Sequence, residues 1–247
     1  YGITPGTDGL LIMSLIRELM RSGNIDVDYL RRYTNAPWLV IRNPGAADDG
    51  LFLRDADGEP QVIDRLTGAV ISYKTKNVSV AMHGEVPLGS GGVATPVFML
   101  MTETYMVDAY SPDTVASKVG ISAARIRQFA ADLADAAFAK EVVINQPWTD
   151  WKGEKHETMV GRPVSMHSMR GISAHSNGFQ TCRALHVLQL MLGSIEVPGG
   201  WRFKPPYPKA PEAHPKPAGK PDQVQAGKPL TGTPLGYVLG PDDLLIN

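Results

Sequence analysis

Ten consecutive residues of this 247-residue chain gather most of the groups able to do chemistry: Met169-Arg170-Gly171-Ile172-Ser173-Ala174-His175-Ser176-Asn177-Gly178. A guanidinium, two hydroxyls, an imidazole and a carboxamide sit in a small-residue loop just ahead of a helix-patterned stretch. A helix start offers unpaired N–H groups and partial positive charge, so this combination suits an anionic ligand rich in hydrogen-bonding groups. Gly171 and Gly178 lack the Cβ that would hold such a ligand away from the backbone. Arg170 can grip a diphosphate through its planar fork. A second point of interest is the turn Thr4-Pro5-Gly6-Thr7-Asp8 before another helix. There Thr7 or Asp8 can cap the helix, or Asp8 can accept hydrogen bonds from the N–H groups of a purine.

Other chemistries are poorly served. Ser173 and His175 are too close in sequence for the usual nucleophile–base geometry, and no G-x-S-x-G elbow occurs, which argues against a small hydrolase. His167, His175 and His186 cluster without H-x-x-x-H or H-E-x-x-H spacing, so no metal ligands are assigned. His175, flanked by hydrogen-bonding side chains, is the imidazole expected to face a ligand. Gly89-Ser90-Gly91-Gly92 lacks the Lys-Ser/Thr of a phosphate loop and reads as flexible. Cys182 is the only cysteine. It rules out an internal disulfide or a cysteine-based zinc or iron–sulfur site within these residues, and reads as a buried helical thiol. Trp148 and Trp151 read as packing residues.

Composition bounds the rest. With 43% hydrophobic and 20% charged residues and a net charge of −1, the chain has the make-up of a globular protein and no footprint for nucleic acid. No apolar run reaches the roughly 20 residues of a membrane span. The start at Tyr1 and the finish just past Leu244-Leu245-Ile246 read as cuts through a longer polypeptide.

The elements that must position these groups follow from periodicity. Leu11, Leu15 and Leu19, with Ile12, Ile16 and Met20, predict a helix to about Arg21, stopped by Gly23; Asp26 caps a short second one. From Trp38 the period changes to that of strands. A β-hairpin over 51–63, with a further strand within 71–80, forms a surface insertion at about 38–80. Helices follow after Pro96, at Ser111 and at Ser122, the last turning Ile126, Phe129 and Leu133 inward. Glu141–Asn145 has the pattern of a short parallel-sheet strand. Gln146–Arg162 reads as a long loop rimming a site, and Val164–His167 as a strand end. A final helix over 179–192 buries Cys182, Leu185, Leu188 and Leu192. Helix–strand alternation predicts an α/β fold over 1–203, a parallel-type sheet flanked by helices in the manner of dinucleotide-binding domains. Half of the 20 prolines lie between Pro205 and Pro241, interleaved with lysines, so 204–247 reads as an extended connector to a downstream part.

Several short motifs occur in a telling order. They are Pro5-Gly6-Thr7-Asp8; Tyr29 to Asn35; Tyr110 to Ala116; Val119-Gly120-Ile121-Ser122; Arg125-Ile126-Arg127; Gly171 to Gly178; Arg183-Ala184-Leu185; Leu192-Gly193; and Pro198-Gly199-Gly200. From about residue 4 to 203 this series resembles the molybdopterin oxidoreductases of the dimethyl-sulfoxide-reductase family. The resemblance implies an internal segment of a catalytic subunit, holding part of a bis(molybdopterin guanine dinucleotide) centre of molybdenum or tungsten. It places Gly6, Thr7 and Asp8 near the guanine end. It places Arg170, Gly171, Ser173, His175, Ser176 and Asn177 near the pterin and the metal, with His175 as the candidate catalytic residue, hydrogen-bonded to substrate or to a metal-bound oxo group. The family's 4Fe-4S cysteines, its metal-ligating residue and its closing C-terminal barrel are expected elsewhere in the parent protein, so this segment alone is not expected to turn over. The implied activity is two-electron redox or oxygen-atom transfer on a small molecule, with the sulfur oxyanions favoured. The implied partners are an iron–sulfur electron-transfer protein and a membrane anchor; neither nucleic-acid binding nor direct membrane insertion is expected. The competing expectation is a non-catalytic nucleotide-binding or structural module of the same fold.

Overall fold

The apolar spacing after Asp8 produces helix α1 (Asp8–Ser22), which buries Leu11, Ile12, Leu15, Ile16 and Leu19 along one stripe. This helix is the hub of the computed structural model, which describes residues 2–150 and 153–201. Gly23 ends it in the left-handed conformation (φ 72°), closing its N–H on the Met20 carbonyl at 3.1 Å. Helix α2 (Val27–Tyr33) starts where the Asp26 carboxylate accepts the Tyr29 N–H at 2.9 Å.

The chain then leaves the helical layer. Strands β1 (Leu39–Arg42), β2 (Gln61–Ile63), β3 (Val70–Ser72), β4 (Val86–Pro87) and β5 (Val93–Pro96) pair as two small antiparallel sheets, ordered β1-β5-β4 and β2-β3. Leu39, Ile63, Ala81 and Ala94 give this region a small core of its own. Helix α3 (Val97–Tyr105) returns to the main core. Helices α4 (Pro112–Val119) and α5 (Ala123–Ala134) follow, each opened by a serine that caps a backbone N–H: Ser111 that of Thr114, Ser122 that of Arg125.

After α5 come two nested antiparallel pairs. Strand β6 (Val142–Ile144) pairs with β9 (Met159–Gly161), and between them β7 (Trp148–Thr149) pairs with β8 (Lys155–His156). Arg162, directly after β9, ties this hairpin down: its guanidinium donates to Asp26 at 2.8 Å, to the Ala137 carbonyl at 3.2 Å, and to Glu141. The last helix, α6 (Gly178–Met191), makes the most extensive contact that α1 has. The two run in the same direction. At their starts a Cβ on Gly9 would stand 2.8 Å from Thr181 Oγ1. Beyond their ends the Asp26 N–H donates to the Met191 carbonyl at 2.7 Å.

Three expectations are corrected. Every sheet among the described residues is small and antiparallel, so the parallel sheet flanked by helices does not form. A short bounded apolar run is compatible with either pairing direction. Here the chain turns back within the same hairpin to supply the partner of β6, and Val142 and Val143 are 51% and 54% exposed rather than covered on both faces. Second, Gln146–Arg162 is mostly this hairpin rather than a loop, and no strand forms at Val164–His167. Third, the buried face of α6 is Gly178, Thr181, Ala184, Leu188, Gln189 and Met191, leaving Cys182 and Leu185 half-buried. Small residues at 181 and 184 face inward because α1 approaches closely at Gly9. Residues 204–247 and Trp151 lie outside the described residues.

That approach generates a test. Gly9→Val places branched carbon against Thr181 and should cost about 1–3 kcal/mol by overpacking. Adding Thr181→Ala should restore part of the loss, read as a positive coupling in a double-mutant cycle of urea midpoints.

Candidate functional site

Because α1 and α6 run in the same direction, both helix starts lie at the same end of the helix pair. Neither is capped by a side chain. The Thr7 hydroxyl donates to the Thr4 carbonyl at 2.6 Å instead of accepting from the helix. The Gly178 N–H bonds the His175 carbonyl at 2.9 Å, and the intrahelical ladders begin only at Leu11 and Thr181. Among the described residues, the N–H groups of Gly9 and Leu10 on one helix, and of Phe179 and Gln180 on the other, carry no hydrogen bond. Two positive helix ends with open donors, side by side, form an environment for negative charge.

The loop ahead of α6 is built onto that end. Arg170–Ser173 forms a 3-10 turn, with Ser173 Oγ donating to the Arg170 carbonyl at 2.9 Å. A Cβ on Gly178 would collide with the Ser173 carbonyl, so this glycine permits loop-to-helix packing rather than the approach of a ligand. Around Gly171 the space is open. Arg170, Gly171, Ser173, His175, Ser176 and Asn177 are all exposed, as is Gly6, while Thr7 and Asp8 are half-buried. Met169 and Phe179 bracket the loop and are 73% and 77% exposed, an apolar rim around a polar centre.

A cleft of about 260 Å³ opens beside this loop, between α1, α5, α6 and the chain from Ser165 to Ile172. Its walls are apolar: Ile3, Leu11, Ile12, Leu15, Phe129, Met166, Ile172, Leu185 and Leu188. Its polar groups are Asp8, Ser165, His167 and Ser168, none of which is engaged in a side-chain hydrogen bond or ion pair among the described residues. The cleft thus joins the first turn of α1, through Asp8, to the 3-10 turn, through Ile172. His175, Ser176 and Asn177 do not line it. His167, Ser165 and Ser168 do, and the sequence motifs miss them. The available signal is alternation: Val164 is buried, Ser165 exposed, Met166 half-buried and His167 exposed, the period of an extended segment with one face turned outward.

A second cluster lies on the hairpin. Ligand atoms of Asp150, Glu154 and His156 lie within 4.8 Å of one another, a trio of metal-ligating types that the sequence pattern does not announce. The network answers its own charges, however. Asp150 accepts the Glu154 N–H at 2.9 Å and contacts His156 Nε2 at 3.0 Å, while Arg32 faces His156 Nδ1 at 3.5 Å and Glu154 at 3.9 Å. Trp148 stacks on the His156 ring with centroids 4.6 Å apart, which is packing, as expected for that tryptophan. On α2, burial pushes the Tyr29 hydroxyl up to about 12, and the hydroxyl donates to the Ile195 carbonyl at 2.9 Å.

No protein-family model matches the chain. It is 40% identical over 254 aligned positions to a sulfite dehydrogenase subunit from Allochromatium vinosum, covering 99% of this chain and 26% of that protein. It is 26% identical to the major subunit of the nitrate-inducible formate dehydrogenase of Escherichia coli over 80% of this chain, and 26% identical to the alpha subunit of chlorate reductase from Ideonella dechloratans over 54% of it. This chain is homologous to the molybdopterin oxidoreductases of the dimethyl-sulfoxide-reductase family. It spans about a quarter of the first of these molybdopterin enzymes, and 16% of each of the other two. No helix among the described residues is long and apolar enough to cross a membrane.

The two loop glycines should separate cleanly by substitution. Gly178→Ala forces the 3-10 turn off the start of α6 and should cost about 1–3 kcal/mol, with faster proteolysis between Met169 and Asn177. Gly171→Ala, with open space around it, should leave both the melting temperature and the cleavage rate close to those of the parent.

Proposed function

We propose that this chain forms part of the cofactor-binding body of a molybdenum or tungsten oxidoreductase catalytic subunit, and that the paired helix starts and the adjoining cleft hold one end of a molybdopterin guanine dinucleotide. The observation that carries this is the convergence of unpaired backbone donors from α1 and α6 with a cleft lined by the unengaged carboxylate of Asp8.

The donor set fits such a group. A dinucleotide of this type presents phosphates and flat heterocycles bearing an N–H beside an exocyclic NH₂. The N–H groups at Phe179 and Gln180, with Arg170 nearby in the exposed turn, suit the phosphates. Asp8 is acceptor-only when ionised, so it selects an N–H/NH₂ edge, and its charge is favourable at the start of α1. The cleft is slightly below the roughly 300–1,000 Å³ of ordinary small-ligand pockets, which matches one ring system rather than a whole dinucleotide. Gly6 and Thr7 set the turn that delivers Asp8. Ser173, His175, Ser176 and Asn177, exposed on the loop, face outward toward the remaining part of the group and the substrate, with His175 as the hydrogen-bonding candidate there.

When bound, the metal centre supplies two-electron redox or oxygen-atom transfer. The chain's own residues contribute binding, orientation and charge. A sulfur oxyanion is the favoured substrate class, since the relative matched over 99% of this chain is named for sulfite dehydrogenase. That name also describes one subunit of a larger enzyme, which supports partner subunits for the parent protein; the resemblance to the family implies that these are an iron–sulfur electron-transfer protein and a membrane anchor.

Protein purified from cells supplied with molybdate or tungstate should carry about one metal per parent chain and release GMP and a fluorescent oxidised pterin. Asp8→Asn should lower all three together. Purified protein with neither metal nor pterin would favour a non-catalytic module and overturn the proposal. His175→Ala should reduce turnover while metal content stays full; unchanged turnover would remove His175 from the reaction.

A further inference from the structure

We infer that His167 is a specificity-determining residue of the Asp8 cleft, donating a hydrogen bond to the carbonyl edge of the same heterocycle whose N–H edge Asp8 holds. The inference rests on the cleft's being the heterocycle-binding end, as proposed above, and adds a residue that neither the motifs nor the relatives' names point to.

Three observations carry it. The first is chemical. A carboxylate only accepts, so Asp8 reads one edge of a 2-amino-4-oxo ring and leaves the ring carbonyl needing a donor. That carbonyl, entering an apolar cleft, costs free energy unless it is paired. The second is positional. Of the two imidazoles in this stretch, His167 lines the cleft with Asp8, and His175 does not. The third concerns availability. His167 is exposed and has no hydrogen-bond or ion-pair partner among the described residues, so no structural bond must be broken for it to engage. Ser165 and Ser168 stand in the same wall, but their rotating hydroxyls impose less direction than a ring N–H.

Discrimination follows from the pairing. Guanine and pterin both place a carbonyl beside the N–H that a carboxylate takes. Adenine places an amino group there and an acceptor nitrogen in place of that N–H. An Asp8–His167 pair therefore faces two mismatches with adenine, and a site built on paired polar groups rejects such analogues more strongly than an apolar one.

The test is a titration of the full chain with GMP, AMP and 6-hydroxymethylpterin, followed by calorimetry or ligand-observed NMR. GMP or the pterin should bind the parent chain, with AMP weaker. His167→Ala should weaken the binding ligand roughly 3- to 10-fold, the range of one lost neutral hydrogen bond, leave AMP unchanged, and leave the melting temperature unchanged. His167→Gln, which keeps an N–H donor, should recover part of the loss. Dependence on His167 with GMP assigns the cleft to the guanine end; the same dependence with the pterin alone assigns it to the pterin end, and both support the inference. If Asp8→Asn weakens GMP or pterin binding while His167→Ala stays within about twofold of the parent, the inference falls and the proposed function stands. If the parent chain binds neither GMP nor the pterin, both fall.

Discussion

The close approach of α1 to α6 is the constraint on which the rest depends. Two helices running in the same direction put like dipole ends together, which is unfavourable unless something negative meets the positive pair. The protein accepts this arrangement and leaves both starts without side-chain caps. Gly9 and Thr181 let the axes come near, and the Asp26 N–H on the Met191 carbonyl fixes the far ends. Between those points the leucine and isoleucine stripe of α1 meets Ala184, Leu188 and Met191 in one core. The helix pair thereby forms the centre of the main core, with its uncapped starts at the edge of that core.

Charge is buried around this pair in a way that strengthens its orientation. Glu18 on α1 is 3% exposed yet receives Arg21 at 2.8 Å and Arg17 at 3.2 Å, with Arg127 of α5 at 3.9 Å. Arg127 also reaches Asp113 of α4, so one buried carboxylate draws three helices into register. Removing one partner of such a cluster leaves an unpaired charge away from water, which costs more than the pair contributes. Asp26 adds to this just past the C-terminus of α1, capping α2 and receiving Arg162 from the hairpin. These networks lie toward the C-terminal ends of α1 and α6, away from the uncapped helix starts.

Helices were legible in the sequence because their signals are local. The caps at Asp26, Ser111 and Ser122 and the stop at Gly23 each act within a few residues, and all take the positions their types suggest. The sheet was not legible, because pairing direction depends on a partner strand that no local pattern names. Val142-Val143-Ile144 would look the same in a parallel core or in the exposed hairpin it forms. The site was half legible for a related reason. Composition drew attention to the loop around His175, whereas the cleft is made by tertiary approach and takes its imidazole from eight residues earlier. Asp8, which the helix-start pattern singles out as a cap or as an acceptor for a ligand, lines the cleft.

The pairing of α1 with α6 also shapes how the chain comes to be folded. The two contact surfaces are separated by about 170 residues. At ribosomal speeds of about 5–20 residues per second, the apolar stripe of α1 emerges roughly 10–30 s before its mate is made. Meanwhile α3, α4 and α5 can shelter part of it, but the side meant for α6 stays bare, and closure over so long a span is intrinsically slow. The apolar stripe of α1 therefore stays open to other apolar surfaces until α6 has been made.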